Sequence, residues 1–105
     1  MNFKNPYWTN VDKLNLLSNW ILVQSVLYYE LDNSVVPDWM FDNNCKQYRQ
    51  LAQDYPHSFK LSKDKYIFKD YIKEGQTSTY KVLKLMTRQH RRQVEGIANY
   101  LINRR

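Results

Sequence analysis

Apolar residues return every three or four positions in three separate runs, the spacing of helices that each bury one face. The first run is Leu14, Leu17, Ile21, Gln24, Tyr28 and Leu31, widened by Trp20 and Leu27, and it predicts a helix from about Asn10 to Leu31. Thr9 or Asn10 can cap its start, and Asp12 stands near the positive end of the helix dipole. The segment LDNSVVP, residues 31–37, breaks the pattern. Asp32, Asn33 and Ser34 are turn formers, and Pro37 suits the first turn of a new helix. That second helix is expected from about Pro37 to Asp54, with Phe41, Cys45, Tyr48 and Ala52 as its apolar line and Leu51 beside it. Pro56 ends it, because proline disfavours helical geometry at the preceding Tyr55. A short turn between two helices makes an antiparallel hairpin over residues 10–56.

The next segment is less regular, and the connector 57–86 is expected to be irregular or to hold a small β element. DKYIFKDYI sets Tyr66, Phe68 and Tyr71 on one face of a strand and also fits a short helix. GQTSTYK, residues 75–81, reads as a polar, turn-like loop. A third helix follows from about Thr87 to Asn103, on the stripe Val94, Ile97, Ala98 and Leu101, which His90 extends backwards. The fold class is therefore mostly α. One domain of 105 residues holds the hairpin, the connector and an amphipathic C-terminal helix over residues 87–105.

Composition removes several kinds of chemistry. A single cysteine rules out an internal disulfide and a thiolate-built zinc site. Cys45 lies on the apolar line of the second helix, where a free thiol acts as a small buried hydrophobe. Two histidines without HExxH-type spacing leave no metal site to expect, and two glycines cannot make a Gly-rich phosphate loop. No apolar run is long enough for a membrane span or a secretory leader, so a place in the cytoplasm is expected.

Charge adds a direction. The net charge is +6. Residues 1–72 carry eight Lys/Arg and eight Asp/Glu, whereas residues 73–105 carry eight Lys/Arg against Glu74 and Glu95. The whole excess thus falls in the last third, which points to an acidic or polyanionic partner there. Lys81, Lys84, Arg88, Arg91, Arg92 and Arg104 are the candidate partner-binding residues. Arg88, Arg91 and Arg92 are expected to share a face opposite the apolar stripe, where guanidinium groups meet phosphates or carboxylates. No helix-turn-helix, zinc-finger or RNA-binding signature accompanies them, so sequence-specific reading of nucleic acid is not expected.

The hairpin's closed end carries a second set of candidates. Asp38 and Asp42 are four apart and lie on one helix face, while Tyr28 and Tyr29 sit in the last turns of the preceding helix. Hydroxyl and carboxylate groups of this kind can hydrogen-bond a ribose or a carboxamide. The run Y-Y-x-L-D-N-x-x-V-P-D-x-x-F-D, residues 28–42, resembles the N-terminal helical subdomain of bacterial NAD-dependent DNA ligases. The likeness extends loosely to Pro56 and covers between a third and a half of the chain. It implies a helical hairpin that grips the nicotinamide mononucleotide (NMN) half of NAD, with Tyr28, Tyr29, Asp38 and Asp42 as cofactor-binding positions where that binding is retained. Phe41 stands where the family usually has tyrosine, and Trp39 replaces a small residue. Short stand-alone proteins of this likeness are typical of phage genomes, which implies a viral or prophage source and the host cytoplasm.

The chain carries no K-x-D-G tetrapeptide, so lysyl–AMP chemistry has no nucleophile and no catalytic residue is expected. The function expected is binding, with no cofactor of its own. The favoured partner is a host protein that handles nucleic acid, such as a defence nuclease, which the chain would inhibit or redirect. Non-specific contact with DNA or RNA is the second expectation, and NAD or NMN binding by the hairpin is the third.

Overall fold

The computed structural model describes residues 8–33, 35–74 and 78–104. Six helices follow one another among these residues: α1 (Asn10–Tyr29), α2 (Asp38–Asp54), α3 (Pro56–Leu61), α4 (Lys65–Glu74), α5 (Tyr80–Leu83) and α6 (Arg88–Asn103). The expected mostly α architecture is the one observed. The connector expected as irregular or β is instead three short helices. DKYIFKDYI takes the helical of its two readings, because Ile67, Phe68 and Tyr71 can then bury together at helical spacing. Ser34, the first residues of GQTSTYK (75–77) and Arg105 lie outside the described residues.

α1 is the central element. Its start is fixed by a reciprocal capping box, in which Thr9 Oγ1 accepts from Asp12 N and Asp12 Oδ2 accepts from Thr9 N. Residues 21–27 are buried without interruption, so this half of the helix is covered on every side rather than along one stripe. α2, α3, α5 and α6 pack around it. Ile21, Leu22, Val26 and Leu27 each contribute about 1.5–3 kcal/mol by leaving water. The expected stripe fails at one position: Tyr28 is 50% exposed.

Three polar side chains on α1 bind other elements inside this apolar setting. Ser18 Oγ donates to Asp64 in the α3–α4 turn, Gln24 Oε1 accepts from Asn44 Nδ2 of α2 at 3.2 Å, and Ser25 Oγ shares a 2.6 Å bond with Thr79 Oγ1 before α5. A buried polar group is costly when unpaired, so these bonds select one arrangement of the surrounding helices.

The chain leaves α1 through Asp32, whose φ of 46° is in the left-handed region that Asp tolerates better than most residues. Pro37 then precedes α2 as its cap residue, so the helix starts one residue later than expected. Pro56 opens α3, where its missing N–H costs nothing. Tyr48 of α2 centres an aromatic cluster with Phe68 at 4.8 Å, while Phe68 meets Tyr71 edge-on at 5.8 Å. These rings hold α4 against α2 and set the surface above them.

Candidate functional site

The four residues of the hairpin's closed end do not converge. Tyr28 and Asp38 border one recess, with Gln24, Val35 and Phe41 as neighbours, and its volume is about 10 Å³. That is room for a single water. A nucleotide needs a pocket of roughly 300 Å³ or more. Gln24 Nε2 has no hydrogen-bond partner among the described residues, yet the space beside it serves nothing larger than water. Tyr29 turns elsewhere: its hydroxyl bonds Ser78 Oγ at 3.0 Å and its ring meets Tyr80 edge-on at 5.4 Å. Asp42 is exposed outside the recess, and its charge is felt at Cys45. The residues present therefore do not fit an NMN group in this arrangement.

Cys45 is buried, and that burial pushes its thiol pKa up against the smaller opposing effect of its hydrogen bond with Tyr71. A raised pKa leaves little thiolate, as expected for a packing residue rather than a nucleophile. No cluster of metal-ligating side chains occurs among the described residues, and no described helix is long and apolar enough to cross a membrane.

The basic residues of the last third fall into separate roles. α6 begins at the Thr87 cap, whose Oγ1 accepts from His90 N at 3.1 Å, and packs against α1 through Val94 and Ala98. Arg91 turns inward on the α1 side. Its guanidinium donates to Glu30, to Glu95 at 3.4 Å and to the Leu83 carbonyl at 3.0 Å, and the Glu30 bond holds its pKa above the usual arginine value. The expected shared face of three arginines is thus a face of two, since Arg91 is spent on joining α6 to α1 and α5. Arg88 and Arg92, one turn apart, are exposed and have no ion pair among the described residues. Glu95 is the single acid on α6 and is taken by Arg91, so nothing on that helix neutralises them.

The remaining candidates are placed less coherently. Lys84 covers the Tyr80 ring at 4.7 Å and Arg104 lies 5.4 Å from the Tyr100 ring centre. Lys81 borders a cleft between α4 and α5 that also holds Asp70 and Glu74, away from the α6 arginines.

A groove of about 550 Å³ runs beside α6. Arg92, Ile97 and Tyr100 line one side, while Asn19 of α1 and Lys63 of the α3–α4 turn line the other. Ile97, expected in the buried stripe, is 38% exposed here. Lys63 is held by its own backbone, whose N–H donates to Asn15 Oδ1 at 2.9 Å. His90 Nε2 stands 3.9 Å from Asp64 Oδ1, so the groove's inner end rests on the Ser18–Asp64 pair. Gly96 lies on the same groove, and a methyl group there would meet nothing within 4 Å. The fold does not require glycine at that position, although glycine costs a helix interior about 1 kcal/mol relative to alanine.

Comparisons with protein-family models, with curated proteins and with solved structures return no match. The site rests on its own geometry.

A second surface was not singled out by the sequence reading. Pro56, Phe59 and Lys60 of α3 face Lys65, Tyr66 and Lys69 of α4 across a cleft of about 340 Å³. The signal was present in the sequence as four lysines within residues 60–69 against Asp64 alone. Summing charge over residues 1–72 conceals it, because acids elsewhere in that span cancel the total.

Proposed function

We propose that the protein acts by binding, and that the outer face of α6 with its groove is the docking surface for an acidic patch on a host protein that handles nucleic acid. A defence nuclease is the favoured partner, inhibited or redirected by the contact. One observation carries this reading: Arg91 is taken up by bonds within the protein, while its neighbours Arg88 and Arg92 are exposed without an ion pair among the described residues, and Arg92 lines an open groove. Desolvated guanidinium groups with aromatic neighbours such as Tyr100 make strong anchors when a partner supplies carboxylates. Gly96 supports the reading further, since an absent side chain lets a partner backbone approach closely. The hairpin serves as the scaffold of this surface. Its likeness to the NMN-binding subdomain of NAD-dependent ligases is taken as ancestry, with a phage or prophage source and the host cytoplasm as the place of action.

The test is capture from host lysate with the full chain and with the double variant Arg88→Glu/Arg92→Glu. The parent is expected to retain a nucleic-acid-processing enzyme after the lysate is digested with nuclease, and the variant to lose it at an unchanged melting temperature. Capture that survives the double reversal overturns the site. Capture that vanishes on nuclease digestion favours the second reading, direct non-specific contact of these arginines with DNA or RNA.

A further inference from the structure

The cleft between α3 and α4 has a construction of its own, independent of α6. Residues 56, 59 and 60 lie within one turn and a residue of each other on α3, and residues 65, 66 and 69 do the same on α4. Phe59 and Pro56 supply an apolar floor. Tyr66 is 72% exposed, the largest exposure among the chain's described large hydrophobic residues. Lys65 Nζ lies 5.0 Å from the Tyr66 ring centre and so occupies one face of that ring. Lys60 stands on the opposite wall, and Lys69 follows Lys65 one turn along α4.

The acids of this region lie outside the cleft. Asp54 accepts from Gln50 Nε2 at 2.9 Å. Asp64 is buried against Ser18 and His90, and Asp70 borders the α4–α5 cleft with Lys81. No acid lines the α3–α4 cleft. Three lysines and two aromatic rings therefore line the cleft with no carboxylate among them. The volume, about 340 Å³, lies at the lower end of the range for small-ligand pockets and matches one nucleotide unit better than a folded surface.

We infer that this cleft binds single-stranded nucleic acid, with a base stacked on Tyr66 against the Phe59 side and the backbone phosphates held by Lys60, Lys65 and Lys69. An aromatic platform flanked by flexible cations is the arrangement by which proteins hold single strands without reading sequence. A duplex keeps its bases stacked on one another and offers none to Tyr66. An acidic peptide satisfies the lysines but has no use for the open ring. The protein then has two surfaces, an α6 face for a protein and an α3–α4 cleft for the strand that protein handles.

Fluorescence anisotropy with a labelled oligothymidylate tests this on the full chain. Three phosphate contacts predict that log K falls with log salt with a slope of about −2. Tyr66→Ala should weaken binding by about tenfold, the order of one lost stack, and Tyr66→Phe should restore it. Lys60→Glu/Lys69→Glu should bring the salt slope below about −1 in magnitude, whereas Arg88→Glu/Arg92→Glu should leave binding as it is. All five positions are exposed, so folding is expected to persist and is checked by melting temperature. Four results overturn the inference. They are no binding at low salt, equal affinity for a duplex, an unchanged affinity in Tyr66→Ala, and preference for a polyglutamate peptide. Loss of oligonucleotide binding in the α6 variant alone would overturn it as well and assign the strand to α6. Partner capture by the lysine variants is expected to be normal, so the two surfaces fail separately.

Discussion

Near the closed end of the α1–α2 hairpin the sequence carries two tyrosines and two aspartates, of which Tyr28 and Asp38 alone border a recess of about 10 Å³. At the α3–α4 corner, lysines and two ordinary-looking rings border about 340 Å³. The first region has suggestive functional groups and no space for a ligand. The second has space, and its groups are plain by residue type alone. Residue type is thus a weak guide to a site when the packing that makes or fills a cavity is missing. In the hairpin the packing fills it: Leu27, Val35 and Phe41 close the recess that Tyr28 and Asp38 border. At the corner the short α3 buries none of its residues fully, and its face stays open toward α4.

The same comparison separates the two regions in what supports them. Under the corner lie Tyr48, Tyr71 and Cys45, three buried groups whose pKa values burial pushes up, with the charge of Asp64 adding to the rise at Tyr48 and Cys45 adding at Tyr71. A raised folded-state pKa keeps its full stabilisation below the unfolded value and loses it as pH rises. In the unfolded chain the thiol ionises near 9.0 and the phenols near 10.0. From about pH 9 upward the unfolded state therefore releases protons that the folded one keeps, first from the thiol and then from the phenols, and stability falls as pH rises. Urea unfolding at pH 8, 9.5 and 10.5 measures this, and Tyr71→Phe should make the fall shallower. A flat profile would mean that these groups are hydrated and that the corner is less firmly built than the hairpin.

How much of this was legible follows from where long-range contacts decide. The α1–α2 hairpin, the Pro56 stop and the Thr87–Asn103 helix were readable, because capping residues, prolines and a 3.6-residue period act within a few positions. The connector was ambiguous because Tyr66, Phe68 and Tyr71 satisfy two periods, and only Tyr48 on α2 decides which rings turn inward. Ile97 followed the helical stripe yet faces a groove, since α1 covers α6 along Val94 and Ala98 and stops short of it. Arg91 read like Arg88 and Arg92. Its difference lies in Glu30, 61 residues earlier, which no local pattern connects to it.

Arg91 and Arg92 make the sharpest paired test of structure against surface. Arg91→Met removes three hydrogen-bonded contacts to Glu30, Glu95 and the Leu83 carbonyl and should destabilise the protein by about 1–2 kcal/mol, the partly exposed setting reducing the full value of charged hydrogen bonds. Arg92→Met should change stability by less than about 0.5 kcal/mol, as exposed substitutions without partners do. In partner capture the order should reverse, with Arg92→Met weakening retention and Arg91→Met leaving it near the parent level at a temperature where both are folded. Chemical denaturation and capture on the same preparations check both halves. Equal stability losses would show that the inward bonds of Arg91 contribute nothing, and the division of α6 into an inner and an outer arginine would lose its meaning.

The smallest effect expected is at the hairpin, and it decides whether the comparison holds. A ligand at 100 times its Kd stabilises a folded protein by about 2.7 kcal/mol, which for a domain near this size raises Tm by roughly 10–20 °C. NAD and NMN at millimolar concentration should raise it not at all, because a recess for one water would have to open against Leu27, Val35 and Phe41 before either could enter. Asp38→Ala, at an exposed position, should then leave the thermal profile the same with or without the nucleotide. A rise in Tm that Asp38→Ala abolishes would mean that the closed recess is one of two conformations and that the ligase-like residues still select the open one. Space, in that case, would follow the functional groups instead of deciding whether they act.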